Sequence, residues 1–332
     1  MKKLESVLVT LEHEEEYIQM IKDALHPATV IQAHRKDAGA IKAALEVVDA
    51  AILTGDLDER FLQAPNLRWV HCDHAGLEKS AWPELFEKGI IVTSSAGRSA
   101  PALAEHVVFF MLALCYRFAD FLDAQRAHQW GVKDSEELRS LYGRTVGIIG
   151  LGNIGTELAV RAKAMGMQVL GYRRSQAPLP PGVDRCYYED EGGGLHALLT
   201  ESDFVVIAVP LTDTTYHLIG REELAMMKNT AHVINIARGS VIDEDALIEA
   251  LYARTIAGAG VDTVAQEPLA PESRLWDAPN TFITPHMTPQ VPDRTLRSIN
   301  IMIDNIKRYQ KEEPMINQLT EREVFTVLRK DR

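Results

Sequence analysis

Residues 145–165 restrict the fold of this chain more than any other stretch. Thr145-Val146-Gly147-Ile148-Ile149 is an apolar run of the length of a buried parallel strand. It leads directly into Gly150-Leu151-Gly152-Asn153-Ile154-Gly155, three glycines at the G-x-G-x-x-G spacing. A helix-compatible segment, Thr156 to Met165, follows, and a second apolar strand, Gln168 to Tyr172, arrives where a βαβ unit needs it. In such a unit Gly150 lets the chain turn sharply, Gly152 leaves room for a pyrophosphate, and Gly155 lets helix and strand pack closely. The phosphate would then rest on backbone N–H groups at the positive helix end, those of Asn153, Ile154 and Gly155. A glycine turn alone is common; the flanking strands and helix make this one a dinucleotide site rather than a plain turn.

The rest of the chain fits around such a unit as two doubly wound parallel-sheet domains. Strand-like Val7–Val9, Thr29–Ala33, Ala50–Thr54, Leu67–Cys72 and Ile90–Thr93 alternate with helix-like Glu14–Leu25, Ala38–Val47 and a short piece at Trp82–Lys88. Ser99 and Pro101 open a long apolar helix, expected to run to about Gln129 and to join the domains. Strands are expected near 185–188, 203–209, 232–236, 256–261 and 282–284, in a larger sheet of Rossmann type. A proline-rich turn at 288–292 then precedes a helix over 293–310 that returns to the first domain. Residues 1–100 and 290–332 therefore form one discontinuous domain, and residues 101–289 the dinucleotide-binding one. Gly192-Gly193-Gly194 reads as a flexible loop, and Trp130 and Trp276 read as packing residues.

A formal charge of −12 in 332 residues argues against nucleic acid or an anionic membrane as partner. Cys72, Cys115 and Cys186 are too few and too scattered for a disulfide framework or a zinc site, so a reducing compartment and no metal are expected. The apolar run Val7–Leu11 is too short for a signal peptide, and Val107–Cys115 is about half a membrane span. These features predict a cytoplasmic protein acting on a small molecule.

Four strings lie just after expected strands, on the edge where an open α/β sheet binds ligands. They are Val209-Pro210-Leu211-Thr212, Asn235-Ile236-Ala237-Arg238-Gly239, Asp262 through Glu267-Pro268-Leu269, and Thr284-Pro285-His286. Together they supply a guanidinium, a carboxylate and an imidazole, the groups that a hydride-transfer site for a 2-oxo acid requires. Arg238 would grip carboxylate and ketone oxygens in a fork. His286 would give the developing alkoxide its proton, and Glu267 would hold the ring and stabilise its charge. His106 reads as a packed histidine.

These strings, with Ala104-Glu105-His106 and the glycine turn, resemble the D-isomer-specific 2-hydroxyacid dehydrogenases over nearly the whole chain. The resemblance implies a Rossmann domain beside a smaller flavodoxin-like substrate domain, with Arg238, Glu267 and His286 as the catalytic trio. It implies Asp262 near the nicotinamide carboxamide, with Val209, Pro210, Thr215 and Ala237 among the residues lining the cofactor. It also implies that backbone amides of His74-Ala75-Gly76 hold the substrate carboxylate, and that the enzyme is a homodimer built on its nucleotide domains, with the Trp130 region at the contact. The chain departs from the family at Thr263-Val264, Met287-Thr288 and Ser99. These changes touch the pocket wall and leave the trio intact, so they bear on the substrate more than on the reaction.

NAD-preferring Rossmann folds carry an acid about 20 residues beyond the glycine turn, which bonds the adenosine ribose. Here the chain reads Arg173-Arg174-Ser175. Guanidinium and hydroxyl groups would bind a 2′-phosphate that a carboxylate would repel, so NADP(H) is expected in preference, with NAD(H) secondary. Within the 2-oxo-acid reductases, glyoxylate or hydroxypyruvate reduction is the specific alternative. A nucleotide sensor without turnover, of the corepressor kind, is the alternative outside enzymes, and an intact trio speaks against it.

Overall fold

The computed structural model describes residues 3–287 and 291–327. The chain divides into two compact units, Met1–Ser99 with Gln290–Arg332, and Ala100–Pro289.

The first unit begins as strict strand-helix alternation: β1 (Ser6–Val9), α1 (Glu15–Leu25), β2 (Thr29–Gln32), α2 (Ala38–Leu45), β3 (Ala50–Leu53), α3 (Glu59–Leu62), β4 (Trp69–Cys72), α4 (Pro83–Glu87) and β5 (Ile91–Ser94). Among the described residues these strands form one parallel sheet in the order β2-β1-β3-β4-β5, the flavodoxin-like arrangement. β3 and β4 are buried at every position, as expected of strands covered on both faces. The turn of helix at α3 was not anticipated; Asp58 caps it, accepting from the Arg60 N–H.

The second unit opens with α5 (Ala100–Cys115) and α6 (Phe118–Arg126). Then come β6 (Thr145–Ile149), α7 (Asn153–Ala164), β7 (Gln168–Arg173), β8 (Arg185–Tyr188), α8 (Gly194–Glu201), β9 (Phe204–Ile207), α9 (Arg221–Met226), β10 (His232–Asn235), α10 (Glu244–Tyr252), β11 (Gly258–Val261) and β12 (Thr281–Ile283). The sheet is parallel, in the order β12-β11-β10-β9-β6-β7-β8 among the described residues. It is doubly wound, reversing direction between β6 and β9. α5 packs against α7 and against β10, β11 and β12, which accounts for apolar residues all round it.

The expected single helix to Gln129 is in fact two. Arg117 breaks it with φ +50°, its side chain paired to Asp120, and α6 buries none of its residues. Gly192-Gly193-Gly194 is not a flexible loop either: Gly192 and Gly193 take positive φ in a turn, and Gly194 starts α8. Trp130 is fully exposed rather than packed, whereas the Trp276 indole donates to the Ala270 carbonyl at 2.9 Å.

α11 (Arg294–Lys311) belongs to the first unit. Its Ile299, Met302, Ile306 and Tyr309 recur at helical spacing and join Ile18, Ile21 and Leu25 of α1 in one buried cluster. The Tyr309 ring stacks on Trp69 of β4 with centroids 5.3 Å apart. Beyond α11, Asn317 Nδ2 donates to the carbonyls of Ser94 and Ala96, tying the C-terminal segment to the end of β5. The expected turn at 288–292 lies partly outside the described residues, at Thr288, Pro289 and Gln290.

Candidate active site

The glycine turn joins β6 to α7 at the point where the strand order reverses. Gly150 has φ +101°, and a Cβ there would stand 2.6 Å from the Ala208 carbonyl oxygen and 2.8 Å from Val209 Cγ1. A Cβ on Gly155 would stand 2.0 Å from the Gly150 carbonyl oxygen. A Cβ on Gly152 would meet no atom within 4 Å, so the middle glycine faces open space. Gly152 is the N-cap of α7, and no side chain caps that helix end. Open space at uncapped first-turn amides of a twelve-residue helix fits a dinucleotide pyrophosphate. Pro210 follows β9 on the other flank of the reversal. There Thr215 Oγ1 donates to the Pro210 carbonyl at 2.6 Å and accepts from the Thr212 N–H at 2.8 Å, which fixes the turn.

Arg173 ends β7, and Arg174 and Ser175 beyond it are exposed. The Arg173 guanidinium donates to the carbonyls of Ala177 and Pro178, the latter at 3.1 Å, and its carbon lies 5.6 Å from the centre of the Tyr188 ring. Arg173 thus closes its own loop in this structure, while Arg174 and Ser175 project from it.

Three adjacent strands deliver the expected trio to the C-terminal edge of the sheet. Arg238 follows β10, Glu267 follows β11 and His286 follows β12. Asn235 shapes the first of these loops: its Oδ1 accepts from the Ala237 N–H at 3.0 Å and its Nδ2 donates to the Arg238 carbonyl at 2.9 Å. The next residue, Gly239, lies so close to the second loop that a Cβ would stand 1.9 Å from the Val264 carbonyl carbon. Only glycine lets the Arg238 loop and the Glu267 loop touch in this way.

Glu267 and His286 meet directly, Oε2 to Nδ1, at 2.8 Å. A carboxylate only accepts, so Nδ1 carries a hydrogen and donates it, and Nε2 is the nitrogen left to exchange a proton with a ligand. The two side chains are 40% and 41% exposed, as open to water as a proton-exchanging pair needs to be. His286 sits at φ +49°, held there by its N–H donating to the Asp262 carbonyl at 2.8 Å. Asp262, 2% exposed, accepts from Thr284 Oγ1 at 2.6 Å through Oδ1. A cavity of about 430 Å³ is lined by Asp262, Glu267, Thr284 and His286 with apolar Leu269 and Ile283. Ala237 is buried beside Arg238.

The expected substrate-binding residues lie in the other unit. His74-Ala75-Gly76 follow β4, with Gly76 at φ +81°. The His74 N–H donates to the Cys72 carbonyl, and its Nε2 lies 3.5 Å from Asp56 Oδ1. Ser99 ends the turn before α5. Among the described residues no His, Cys, Asp and Glu cluster could hold a metal, and no helix is long and apolar enough to cross a membrane.

Residues 108–288 match the family described as D-isomer specific 2-hydroxyacid dehydrogenase, NAD binding domain. The chain belongs to this family. Among relatives of the dehydrogenase, a glyoxylate reductase of Korarchaeum cryptofilum is 35% identical over 79% of this chain and 79% of its own. Glyoxylate/hydroxypyruvate reductase B of Pectobacterium carotovorum is 38% identical over 76% of this chain and 79% of its own. Of solved structures, a D-isomer specific 2-hydroxyacid dehydrogenase from Xanthobacter autotrophicus, in complex with NADPH and MES, superposes with a TM-score of 0.80 at 30% identity. That match covers 97% of this chain and 99% of the other. The two parallel-sheet units are the fold of these dehydrogenases.

Asn235, Gly239 and Thr284 are legible in the sequence only as members of their strings, and what each does to its neighbours is visible only in the structure. One signal was available for Asn235: a side-chain amide just after a strand, before a loop carrying a functional residue, is well placed to bond that loop's backbone.

Proposed function

We propose that this dehydrogenase reduces small 2-oxo acids, glyoxylate or hydroxypyruvate, to D-2-hydroxy acids, and takes NADP(H) in preference to NAD(H). The observation that carries the reading is the Glu267–His286 pair at 2.8 Å, formed between the loops after β11 and β12, with Arg238 in the loop after the neighbouring β10. Glyoxylate and hydroxypyruvate reduction in the relatives' names supports the substrate class.

The nicotinamide supplies the hydride when bound. Arg238 binds the substrate carboxylate and ketone oxygens and draws electron density from the carbonyl carbon. His286 Nε2–H gives its proton to the alkoxide, while Glu267 accepts from Nδ1–H and balances the imidazolium charge. In the reverse direction the neutral ring takes the hydroxyl proton. Asp262 would receive the carboxamide, Val209, Pro210, Thr215 and Ala237 would line the dinucleotide, and the Gly152–Gly155 amides would hold its pyrophosphate. A panel of 2-oxo acids should draw down NADPH absorbance, fastest with the smallest acids. Tight cofactor binding with no consumption by any acid would favour a sensor over an enzyme.

NADP preference rests on Arg173, Arg174 and Ser175 standing where an acid would bond the ribose, and the NADPH complex of the Xanthobacter relative supports it. A 2′-phosphate would take Arg173 from the Ala177 and Pro178 carbonyls as a stronger, charge-assisted partner. Arg173→Asp is expected to lower the NADPH over NADH ratio of kcat/KM by about tenfold to a hundredfold, the worth of one charged hydrogen bond. An unchanged ratio, or a higher kcat/KM with NADH in the unmodified enzyme, would end the assignment.

Exposed Phe109, Tyr116, Phe118 and Trp130 on or just after α5 and α6 support a homodimer built on the nucleotide-binding units. The composition supports a cytoplasmic location.

A further inference from the structure

Thr284 has one hydroxyl hydrogen and two neighbours placed to share its oxygen. Oγ1 lies 2.6 Å from Asp262 Oδ1 and 3.1 Å from His106 Nε2. A carboxylate has no hydrogen to give, so the threonine hydrogen goes to Asp262. The oxygen lone pair that remains can only accept, which makes His106 the donor and selects its Nε2–H tautomer. His106 Nδ1 is buried with no partner among the described residues, as suits a ring nitrogen that carries no hydrogen. Burial holds this imidazole below its ordinary pKa, against the opposing pull of the Asp262 charge, so the ring has one N–H to place.

The three residues come from three elements that cannot drift apart independently. His106 is on α5, 7% exposed, with its ring centre 4.7 Å from that of Phe110. Phe110 in turn fills the space over Gly260 of β11, where a Cβ would stand 2.7 Å from its ring. Asp262 follows β11 and Thr284 follows β12, and the Thr284 N–H donates to the Val261 carbonyl at 2.9 Å. Two residues on, the His286 N–H donates to the Asp262 carbonyl. One short segment therefore anchors the Asp262 side chain through Thr284 and its backbone through His286.

We infer that Thr284 and His106 form a positioning relay for Asp262. They hold Oδ1 and leave the second carboxylate oxygen to accept from the nicotinamide carboxamide in the cavity that Asp262 lines. The inference rests on the cofactor reading above and extends it to two residues that act through Asp262. The relay orients one end of the dinucleotide only. Losing it weakens the nicotinamide end and leaves the adenosine end as it was.

Thr284→Val keeps the shape and removes the hydroxyl; Thr284→Ser keeps the hydroxyl. The valine variant is expected to raise the Kd of the intact dinucleotide about tenfold, the worth of one hydrogen bond to a charged group. Binding of ADP-ribose and of its 2′-phosphate should stay unchanged, and serine should restore the intact cofactor. Valine without effect, equal weakening of fragment and whole, or no rescue by serine would overturn the relay. Nitrogen-15 NMR of the unmodified protein reads the tautomer independently of any variant's folding. A His106 signal showing Nδ1–H instead of Nε2–H would also overturn it. Unmodified protein that binds ADP-ribose but gains nothing from the nicotinamide would sink the cofactor reading and the relay's purpose with it. Normal unmodified binding with an indifferent valine variant would sink the relay alone.

Discussion

Replacing His286 by alanine is expected to cut kcat about 10²- to 10⁴-fold, the range that a positioned acid-base group supplies, and to shift cofactor Kd by less than about threefold. The two halves of this result have separate structural causes. His286 follows β12, and the phosphate turn follows β6. β11, β10 and β9 stand between them in the sheet, so four strand spacings, about 19 Å, separate the proton donor from the pyrophosphate amides. Removing an exposed ring at one edge therefore leaves the glycine turn as it was. Kinetics should report a fall in kcat and kcat/KM together, since the proton is needed only as the alkoxide forms. Glu267→Gln should lie between the alanine variant and the unmodified enzyme. Its amide oxygen can still accept from His286 Nδ1–H, but no charge then balances the imidazolium. If His286→Ala lost cofactor binding in step with turnover, the residue would be a strut for the 284–286 segment, whose N–H also ties down Asp262, and the acid-base role would have to pass to another group.

What could be read from the sequence follows a physical pattern. Parallel strands buried on both faces are continuous apolar runs, so β3, β4, β6 and β9 stood out, and so did the order of elements around them. Arg238, Glu267 and His286 could be picked out because strand ends on one sheet edge converge whatever the intervening loops do. The end of α5 could not. Phe118, Phe121 and Leu122 continue its apolar pattern, and neither glycine nor proline marks the stop at Arg117. Gly192 to Gly194 misled for the opposite reason: three glycines suggest a loop, yet only the first two need positive φ. Trp130 invites a packing role by its size, and nothing local reveals that the described residues of its own chain leave it exposed. Side-chain wiring was out of reach altogether. Thr284 and His106 are 178 positions apart, and their contact exists only because α5 lies on β11 and β12.

The largest stability effect is expected at Asp73, in the first unit, where Asp73→Ala should cost about 3–5 kcal/mol. The carboxylate is 5% exposed and accepts from Arg98 Nη1 at 2.7 Å, from His13 Nε2 at 2.7 Å and from the Ser298 hydroxyl. Those partners come from β1's exit, β5's exit and α11, so one side chain ties three elements at the sheet edge. Arg98 also donates to the Asp73 carbonyl at 2.6 Å, which fixes the first residue of the loop that continues into His74-Ala75-Gly76. Alanine would leave a largely buried guanidinium, 13% exposed, with no counter-charge, and that uncompensated charge is the main cost. Burial alone would push the Asp73 carboxyl up. The His13 hydrogen bond, the Arg98 charge and the Ser298 hydrogen bond outweigh it and hold the group below its ordinary value. The unfolded chain then binds the proton more readily than the folded one. This contribution is fully present above about pH 4, the unfolded value, and is lost as pH falls through the lower folded one. His71, one strand position before Cys72, acts in the same sense at higher pH. Burial, its first cause, lowers it to about 3, so between the unfolded 6.5 and that value only the unfolded chain takes the proton. Unfolding free energy should fall there by up to about 1.4 kcal/mol per pH unit. Urea melts across pH 3 to 8, followed by the Trp69 and Tyr309 signals of this unit, should show both phases in the unmodified protein and only the His71 phase in Asp73→Ala. An alanine variant with an unchanged urea midpoint at neutral pH would mean that water or a shifted Arg98 replaces the carboxylate at little cost, and the network would then be a surface ion pair in all but position.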